Sequence, residues 1–305
     1  MRCRKCGARA VINMQQHRLS LCKNHFLDWL IDLTERNIQK YEMFTSSERV
    51  LLAVSGGKDS LALWDILWYL DYQPDGLFIN LGINGENNYS GQSQKFARFF
   101  ADERKLVLHV FDIKKETGKS IDDLYQNNNR GREKPCSVCG LVKRHIMNRF
   151  SKDNGYDVLV TAHNLDDEAA LLLSNTLSWS INFLARGFPF LPAKPGFTRK
   201  VKPFFRIYER ESAAYAILRE IKYIEEECPY SRNSKQLIIK EHLNDLEESM
   251  PGTKLRFYLN YLKDLDNGAF PDQQENEQDL ARKICMKCGQ PTIMEGMCSY
   301  CKLVR

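Results

Sequence analysis

The chain has 305 residues, 43% hydrophobic and 27% charged, which suits one sizeable core with small appendages and excludes a low-complexity or disordered polymer. Its formal net charge of +5 is too modest to indicate nucleic acid by itself, and no run approaches the roughly eighteen apolar residues of a membrane span. Ten cysteines carry more information: eight fall in four Cys-x-x-Cys pairs, and Cys22 is followed three residues later by His25. The stretch from Met1 to Cys6 has no secretory apolar run, so we expect a cytoplasmic protein whose cysteines serve metal or redox sites rather than disulfides.

Residues 1–27 read as a small zinc module. Cys3, Cys6, Cys22 and His25 are two short-spaced pairs separated by a loop, the pattern of a closed tetrahedral Zn²⁺ site. Arg2, Arg4, Lys5, Arg9, Arg18 and Lys23 crowd the same segment, and His17 reads as a surface residue.

Residues 28–227 alternate short apolar runs with helical periodicity. The runs are 50–54, 76–79, 106–111 and 158–161; the helical stretches are 60–70, 92–104, 139–154 and 166–184. Runs that are apolar on both faces suit a buried parallel sheet, and the alternation predicts an α/β, doubly wound, mainly parallel architecture. Such sheets bind ligands at the carboxyl ends of their strands. Trp29, Trp64, Trp68 and Trp179 read as core residues of helices.

The first of these strands runs into Ser55-Gly56-Gly57-Lys58-Asp59-Ser60, and a helix follows. Glycines there let backbone N–H groups approach phosphate oxygens, and the helix N-terminus favours anions. Lys58 supplies a cation, Ser55 and Ser60 supply hydroxyls, and Asp59 can help hold Mg²⁺. The spacing is not that of a Walker A loop. After the fourth strand comes Thr161-Ala162-His163-Asn164-Leu165-Asp166-Asp167-Glu168-Ala169. Its three acidic residues open a helix, where carboxylates are favourable in any protein; His163 reads equally as a phosphate contact or a buried histidine.

Pro135-Cys136-Ser137-Val138-Cys139-Gly140 precedes a helix, with Cys139 expected in its first turn. The helix terminus and Arg130, Arg132, Lys134, Lys143 and Arg144 should favour a thiolate there. Cys228 lies far along the chain, in Glu227-Cys228-Pro229. Three readings are open: a transient disulfide with persulfide chemistry, a [4Fe-4S] cluster on Cys136, Cys139 and Cys228 with one iron open, or a structural zinc site. A third basic group, Lys194, Arg199, Lys200, Lys202, Arg206 and Arg210, could track a phosphate backbone.

Residues 228–279 read as a helical extension ending in the polar linker 272–279, and residues 280–305 as a second zinc module built on Cys285, Cys288, Cys298 and Cys301. A segment this small needs its metal to fold.

SGGKDS resembles the PP-loop of the ATP-pyrophosphatase superfamily, and TAHNLDDEA resembles a segment of its tRNA-thiolating branch, with Ala162 where glycine is commoner. Together with CSVCGLVKRHIMN, EECPYS, SMPGTKLRF and both terminal clusters, the chain is similar over almost its whole length to the TtuA group. That resemblance implies ATP held by Ala53, Ser55, Gly56, Gly57, Lys58, Asp59, Ser60, Ile79, Lys143 and Ala162. It implies catalytic parts for Asp59, Asp167, Lys143, Cys136, Cys139 and Cys228, with the three cysteines holding a [4Fe-4S] cluster. It also implies Mg²⁺, two structural Zn²⁺, tRNA as substrate, a sulfur-carrier or sulfide donor, and a homodimer. The expected reaction adenylates O2 of 5-methyluridine at T-loop position 54 and replaces that oxygen with sulfur; thiolation at wobble position 34, or of cytidine 32, is the alternative. A zinc-bearing tRNA adaptor without turnover is disfavoured by the intact Lys58, Asp59 and Asp167.

Overall fold

The computed structural model describes residues 1–84, 88–126, 135–231, 234–270 and 283–305. The basic residues Arg130, Arg132 and Lys134 and the linker 272–279 lie outside the described residues.

Near the N-terminus, β1 (Ile12–Met14) and β2 (Leu19–Leu21) form an antiparallel hairpin that leads into α1 (Lys23–Lys40). The central domain follows as β3 (Val50–Val54), α2 (Lys58–Tyr69), β4 (Asp75–Asn80), α3 (Tyr89–Arg104), β5 (Leu108–Asp112), α4 (Ile113–Thr117), α5 (Ile121–Gln126), α6 (Pro135–Asp153), β6 (Val158–Val160), α7 (Leu165–Leu177), α8 (Ile181–Leu184), β7 (Phe190–Leu191), β8 (Arg199–Val201) and α9 (Glu209–Leu218). Two further helices, α10 (Lys235–Ser249) and α11 (Thr253–Asp266), precede a small C-terminal unit of β9 (Lys283–Ile284), β10 (Pro291–Thr292) and α12 (Ser299–Leu303).

The main sheet has the order β5-β4-β3-β6-β8-β7, parallel except for the β7–β8 pair. Strand order reverses on either side of β3, so the crevice between the carboxyl ends of β3 and β6 is the topological switch point where such sheets take ligands. Both sequence phrases singled out above, Ser55–Ser60 and Thr161–Ala169, leave the sheet there. The expected doubly wound, mainly parallel architecture is the one found.

β3 and β6 are apolar and almost wholly buried, as central strands covered on both faces must be. β5 differs: every residue is half-buried, because it is the edge strand, and it starts at Leu108 rather than 106. The helical run expected over 166–184 is broken. It stops at Leu177, Trp179 takes a left-handed φ of 48°, and α8 restarts at Ile181. Trp179 is consequently 72% exposed and Trp68 reaches the surface, whereas Trp64 is fully buried between α2 and the sheet.

Of the hydrophobic clusters among the described residues, two bear on the site. The larger one joins the sheet to the N-terminal hairpin, since Cys3, Met14, Leu21 and Phe26 pack in it with Val50, Leu52 and Val160. The smaller one gathers Leu81, Ile83, Ile121, Val138, Val142 and Ile146 with Cys285, Cys298, Tyr300 and Leu303 of the C-terminal unit. The sequence-based boundary after residue 27 thus has no gap in packing behind it. His17, expected at the surface, is half-buried: its Nε2 lies 2.8 Å from Oε1 of the wholly buried Glu211.

Candidate functional site

The glycine loop is shaped by its serines. Ser55 N–H donates to Ser60 Oγ at 3.2 Å, Gly57 N–H donates to Ser55 Oγ at 3.4 Å, and Ser60 Oγ donates to Gly57 O at 3.0 Å. Gly56 has φ +77°, and a Cβ there would lie 2.2 Å from the carbonyl oxygen of Ser93 on α3. Only glycine satisfies both conditions. Gly57 then caps α2 with extended backbone, so the following N–H groups point into the crevice. Ala53 lies opposite Leu77 in the sheet, two residues before Ile79 on β4, and Ala162 is half-buried beyond the end of β6.

Around this loop stands an ionic network that sequence reasoning only partly found. Lys58 Nζ binds Glu209 Oε1 at 2.7 Å and Asp59 Oδ2 at 3.2 Å. Lys240 Nζ binds Asp167 Oδ1 at 2.6 Å and Glu209 Oε2 at 3.0 Å. Asp59 also accepts from Ser212 Oγ and, at 3.3 Å, from Asn164 Nδ2. Burial pushes the Asp59 carboxyl above its usual range; Lys58 and Ser212 oppose this, while Glu209 and Asp167 add to it. Glu209 goes the other way, down to about 2: burial resists ionisation, but Lys240 and Lys58 outweigh it. Three carboxylates facing one crevice, one of them reluctant to ionise without more positive charge, form a donor set that fits a hard divalent cation. Asp167 also completes a capping box with Asn164, so its position at the start of α7 serves the helix as well.

Asp166 and Glu168, beside it in sequence, turn inward. Asp166 accepts from Glu209 N–H at 2.7 Å and pairs with the buried Lys254; Glu168 pairs with Lys202 at 2.7 Å. Members of the third basic group are therefore partly spent inside the fold, because Arg199 likewise pairs with Glu48. Lys200 keeps its charge weakly, its ammonium pulled down to about 8 by burial and by Lys202 and Arg144.

Of the central cysteines, Cys136 and Cys139 lie on α6 and Cys228 in the segment that follows Ile224. Helix α6 begins at Pro135, so Cys136 and not Cys139 occupies its first turn. Cys136 Sγ donates to Tyr230 O at 3.4 Å, and Cys139, Cys228, Tyr89 and Tyr230 all pack against the smaller core. Burial pushes the Cys136 and Cys228 thiols up, and Cys139 adds to both, while Lys143 opposes. Lys143 reaches solvent although protein crowds it. Crowding alone would lower its ammonium, but Cys139, Cys228 and Tyr89 hold it above its usual value.

Two walls connect this cysteine site to the glycine loop. Helix α3 supplies Ser93 against Gly56, and Tyr89, one turn earlier, faces the sulfurs. The segment before Cys228 supplies the second: Ile224 N–H donates to Gly56 O at 3.0 Å, four residues ahead of Cys228.

Metal-ligand geometry separates the cysteines into two kinds. A tetrahedral ion about 2.3 Å from each sulfur spaces the sulfurs by roughly 3.8 Å. Cys6 and Cys22 Sγ are 3.8 Å apart, and Cys3 and Cys22 Sγ each lie 3.4 Å from His25 Nδ1. Cys288 and Cys298 Sγ are also 3.8 Å apart. Such edges are better read as those of a ligand tetrahedron than as thiol hydrogen bonds. Cys285 accepts from Cys298 N–H at 3.2 Å, and its thiol sits at about 6, because backbone donors outweigh its burial. Among the described residues only these two sets bring three or more ligand atoms within 4.8 Å of one another. Cys136, Cys139 and Cys228 are not among them.

Comparison with known proteins places this geometry. Residues 2–27 match the N-terminal LIM domain of 2-thiouridine synthetase TtuA, and residues 30–247 match the PP-loop domain family. A tRNA-5-methyluridine(54) 2-sulfurtransferase of Thermus thermophilus is 44% identical over 99% of this chain and 91% of its own length. The enzyme of the same description from Pyrococcus horikoshii is 41% identical over 99% of this chain and 93% of its own. Among solved structures, the U34-tRNA thiolase NcsA of Methanococcus maripaludis, determined with its [4Fe-4S] cluster, superimposes with a TM-score of 0.76 at 28% identity, covering 87% of this chain and 88% of that one. No helix among the described residues is long and apolar enough to cross a membrane. With its PP-loop, its LIM-type module and this near full-length likeness, the chain belongs to the tRNA-5-methyluridine(54) 2-sulfurtransferase family of PP-loop enzymes.

Proposed function

We propose that this chain is an ATP-dependent tRNA sulfurtransferase acting on 5-methyluridine at position 54, in two half-reactions that share one crevice. Two relatives that match nearly the full chain, at 44% and 41%, are described as acting at position 54, and the U34 thiolase stands at 28%, so the wobble alternative is not favoured.

In the first half-reaction Ser55, Gly56, Gly57 and Ser60 cradle the triphosphate while Ala53, Ile79 and Ala162 border the adenine. Lys58 leaves Glu209 for a phosphate oxygen, and Asp59 and Asp167 would hold Mg²⁺, which supplies positive charge beside the phosphates. O2 of the base attacks the α-phosphorus, the bond to pyrophosphate breaks, and AMP becomes the leaving group on C2. Adenylation matters because an oxygen esterified to AMP departs far more readily than a bare carbonyl oxygen. In the second half-reaction sulfide attacks C2, the C2–S bond forms, and the C2–O bond to AMP breaks. Cys136, Cys139 and Cys228 would hold a [4Fe-4S] cluster, which supplies an iron without a protein ligand where sulfide can be bound. Lys143, beside those sulfurs, keeps a positive charge where negative charge develops on the departing adenylate. Zinc at the two terminal sites is structural. A sulfur-carrier protein or free sulfide as donor, a homodimeric assembly and a cytoplasmic setting complete the reading.

The observation that carries it is the shared wall: Gly56 touches both Ser93 of α3 and Ile224 of the segment leading to Cys228. Nucleoside mass spectrometry of tRNA from a deletion strain tests it. Thiolated 5-methyluridine should vanish while wobble 2-thiouridine persists; the reverse pattern would overturn the assignment.

A further inference from the structure

The C-terminal four-cysteine unit makes its packing contacts with one helix above all. Tyr300 lies between the ligands Cys298 and Cys301, and its ring stacks on His145 of α6 with centroids 3.9 Å apart and planes 12° from parallel. Cys285, Cys298, Tyr300, Cys301 and Leu303 share the smaller core with Val138, Val142 and Ile146, the inward stripe of the same helix. His145 is 9% exposed, and its Nε2 has no hydrogen-bond partner, so aromatic packing rather than polar anchoring fixes the ring.

A second brace completes the grip. Asn148 of α6 donates to Gly196 O at 3.0 Å and accepts from Thr198 N–H at 3.4 Å, and Ser151 donates to Thr198 at 2.9 Å. Gly196, with φ +79°, leaves room for Pro291 of β10, whose ring would lie 2.3 Å from a Cβ at that position. The loop around Gly196 is thus wedged between α6 and the C-terminal unit. Upstream on α6, within about three turns of His145, are Cys136, Cys139 and Lys143.

We infer that Tyr300 is a positioning residue for the sulfur site: the C-terminal metal unit, through the Tyr300–His145 stack, sets the placement of α6 and hence of Cys136, Cys139 and Lys143. This rests on the reading of those cysteines as cluster ligands given above. It assigns the C-terminal unit a task inside the enzyme. A tetrahedral ion would fix Cys298 and Cys301, and the Ser299-Tyr300 step between them presents the ring to α6.

The test uses the full chain with both zinc sites filled, in four forms: unaltered, Tyr300→Leu, Tyr300→Phe and His145→Leu. Zinc content is measured first, so that only forms with intact terminal sites are compared. Hydrogen exchange of α6 amides is then followed without any cluster, and release of the reconstituted cluster to a chelator, with its electron paramagnetic spectrum, is followed separately. Tyr300→Leu and His145→Leu should speed α6 exchange roughly three- to tenfold, the scale of one lost ring pair. They should also speed cluster release and alter the spectrum, while Tyr300→Phe, which keeps the stack, behaves as the unaltered chain. Unchanged α6 exchange in both leucine variants would overturn the inference. If the unaltered chain takes up no cluster, the cluster reading fails, and the positioning claim is still decided by the exchange data. Should Tyr300→Leu fail to retain zinc, His145→Leu, which leaves the metal unit untouched, decides alone.

Discussion

At the scale of single residues, Gly56 and Gly57 are neighbours with opposite tolerances. Gly56→Ala meets a left-handed φ and a backbone oxygen that cannot withdraw. We expect it to cost about 1–3 kcal/mol of stability and to abolish nucleotide binding. Gly57→Ala meets only Ser55 Oγ at 3.4 Å and has a negative φ, so its cost should be about 1 kcal/mol or less, that of a poorer helix cap. Urea unfolding of the two variants side by side, with ATP titration, checks the contrast. Glu209 gives a pH signature. Its folded-state carboxyl is held near 2 against an ordinary 4.5, so it stabilises the fold above that ordinary value and the contribution is lost as pH falls from about 4.5 toward 2. Part of the effect is screened, since the side chain is 37% exposed. In Glu209→Gln the acid limb of the stability–pH curve should flatten over that window; a curve parallel to the unaltered one would show that Glu209 is no such contributor.

At the scale of elements, the start of α7 does two jobs. Asn164 caps the helix through Asp167 and also donates to Asp59 across the crevice. Asn164→Ala should therefore lower stability by about 0.5–2 kcal/mol, the range for a lost cap, and also weaken ATP binding. Asn164→Ser keeps a capping oxygen but is too short to span to Asp59, so it should recover stability and leave nucleotide affinity low. Denaturant midpoints paired with calorimetric titration separate the two roles.

Much of this level was legible beforehand. The central strands and the glycine loop follow from apolar runs bounded by turn residues, and the metal ligands from spacing alone. Glu209, Ser212 and Lys240 were not, because on a helix each looks like an ordinary solvated polar residue; only the approach of α9 and α10 to the loop gives them partners. The break at Trp179 was missed for a similar reason, since the apolar residues past it continue as though the helix did. The upward push of burial on the Cys136 and Cys228 thiols was not legible either, because positive charge shows in a run of residues and burial does not.

At the scale of the whole molecule, the two terminal metal units are attached differently. The N-terminal one shares the large core with the sheet; the C-terminal one shares only the smaller core. On the reading that both units hold zinc, stripping it should have unequal effects. Cys22→Ser should lower the melting temperature of the entire cooperative transition, whereas Cys301→Ser should detach a local transition and leave the main one within about 2–4 °C of its original position. Differential scanning calorimetry with zinc analysis distinguishes them; a single transition shifted equally by both substitutions would contradict the two-core description.

The partition of the interior has one more consequence. The nucleotide loop grows from a strand rooted in the larger core, while Cys139 and Cys228 rest against the smaller. On the reading of the central cysteines as cluster ligands, a chain stripped of that cluster should accordingly keep a folded ATP cradle, and refilling rather than resynthesis should restore it.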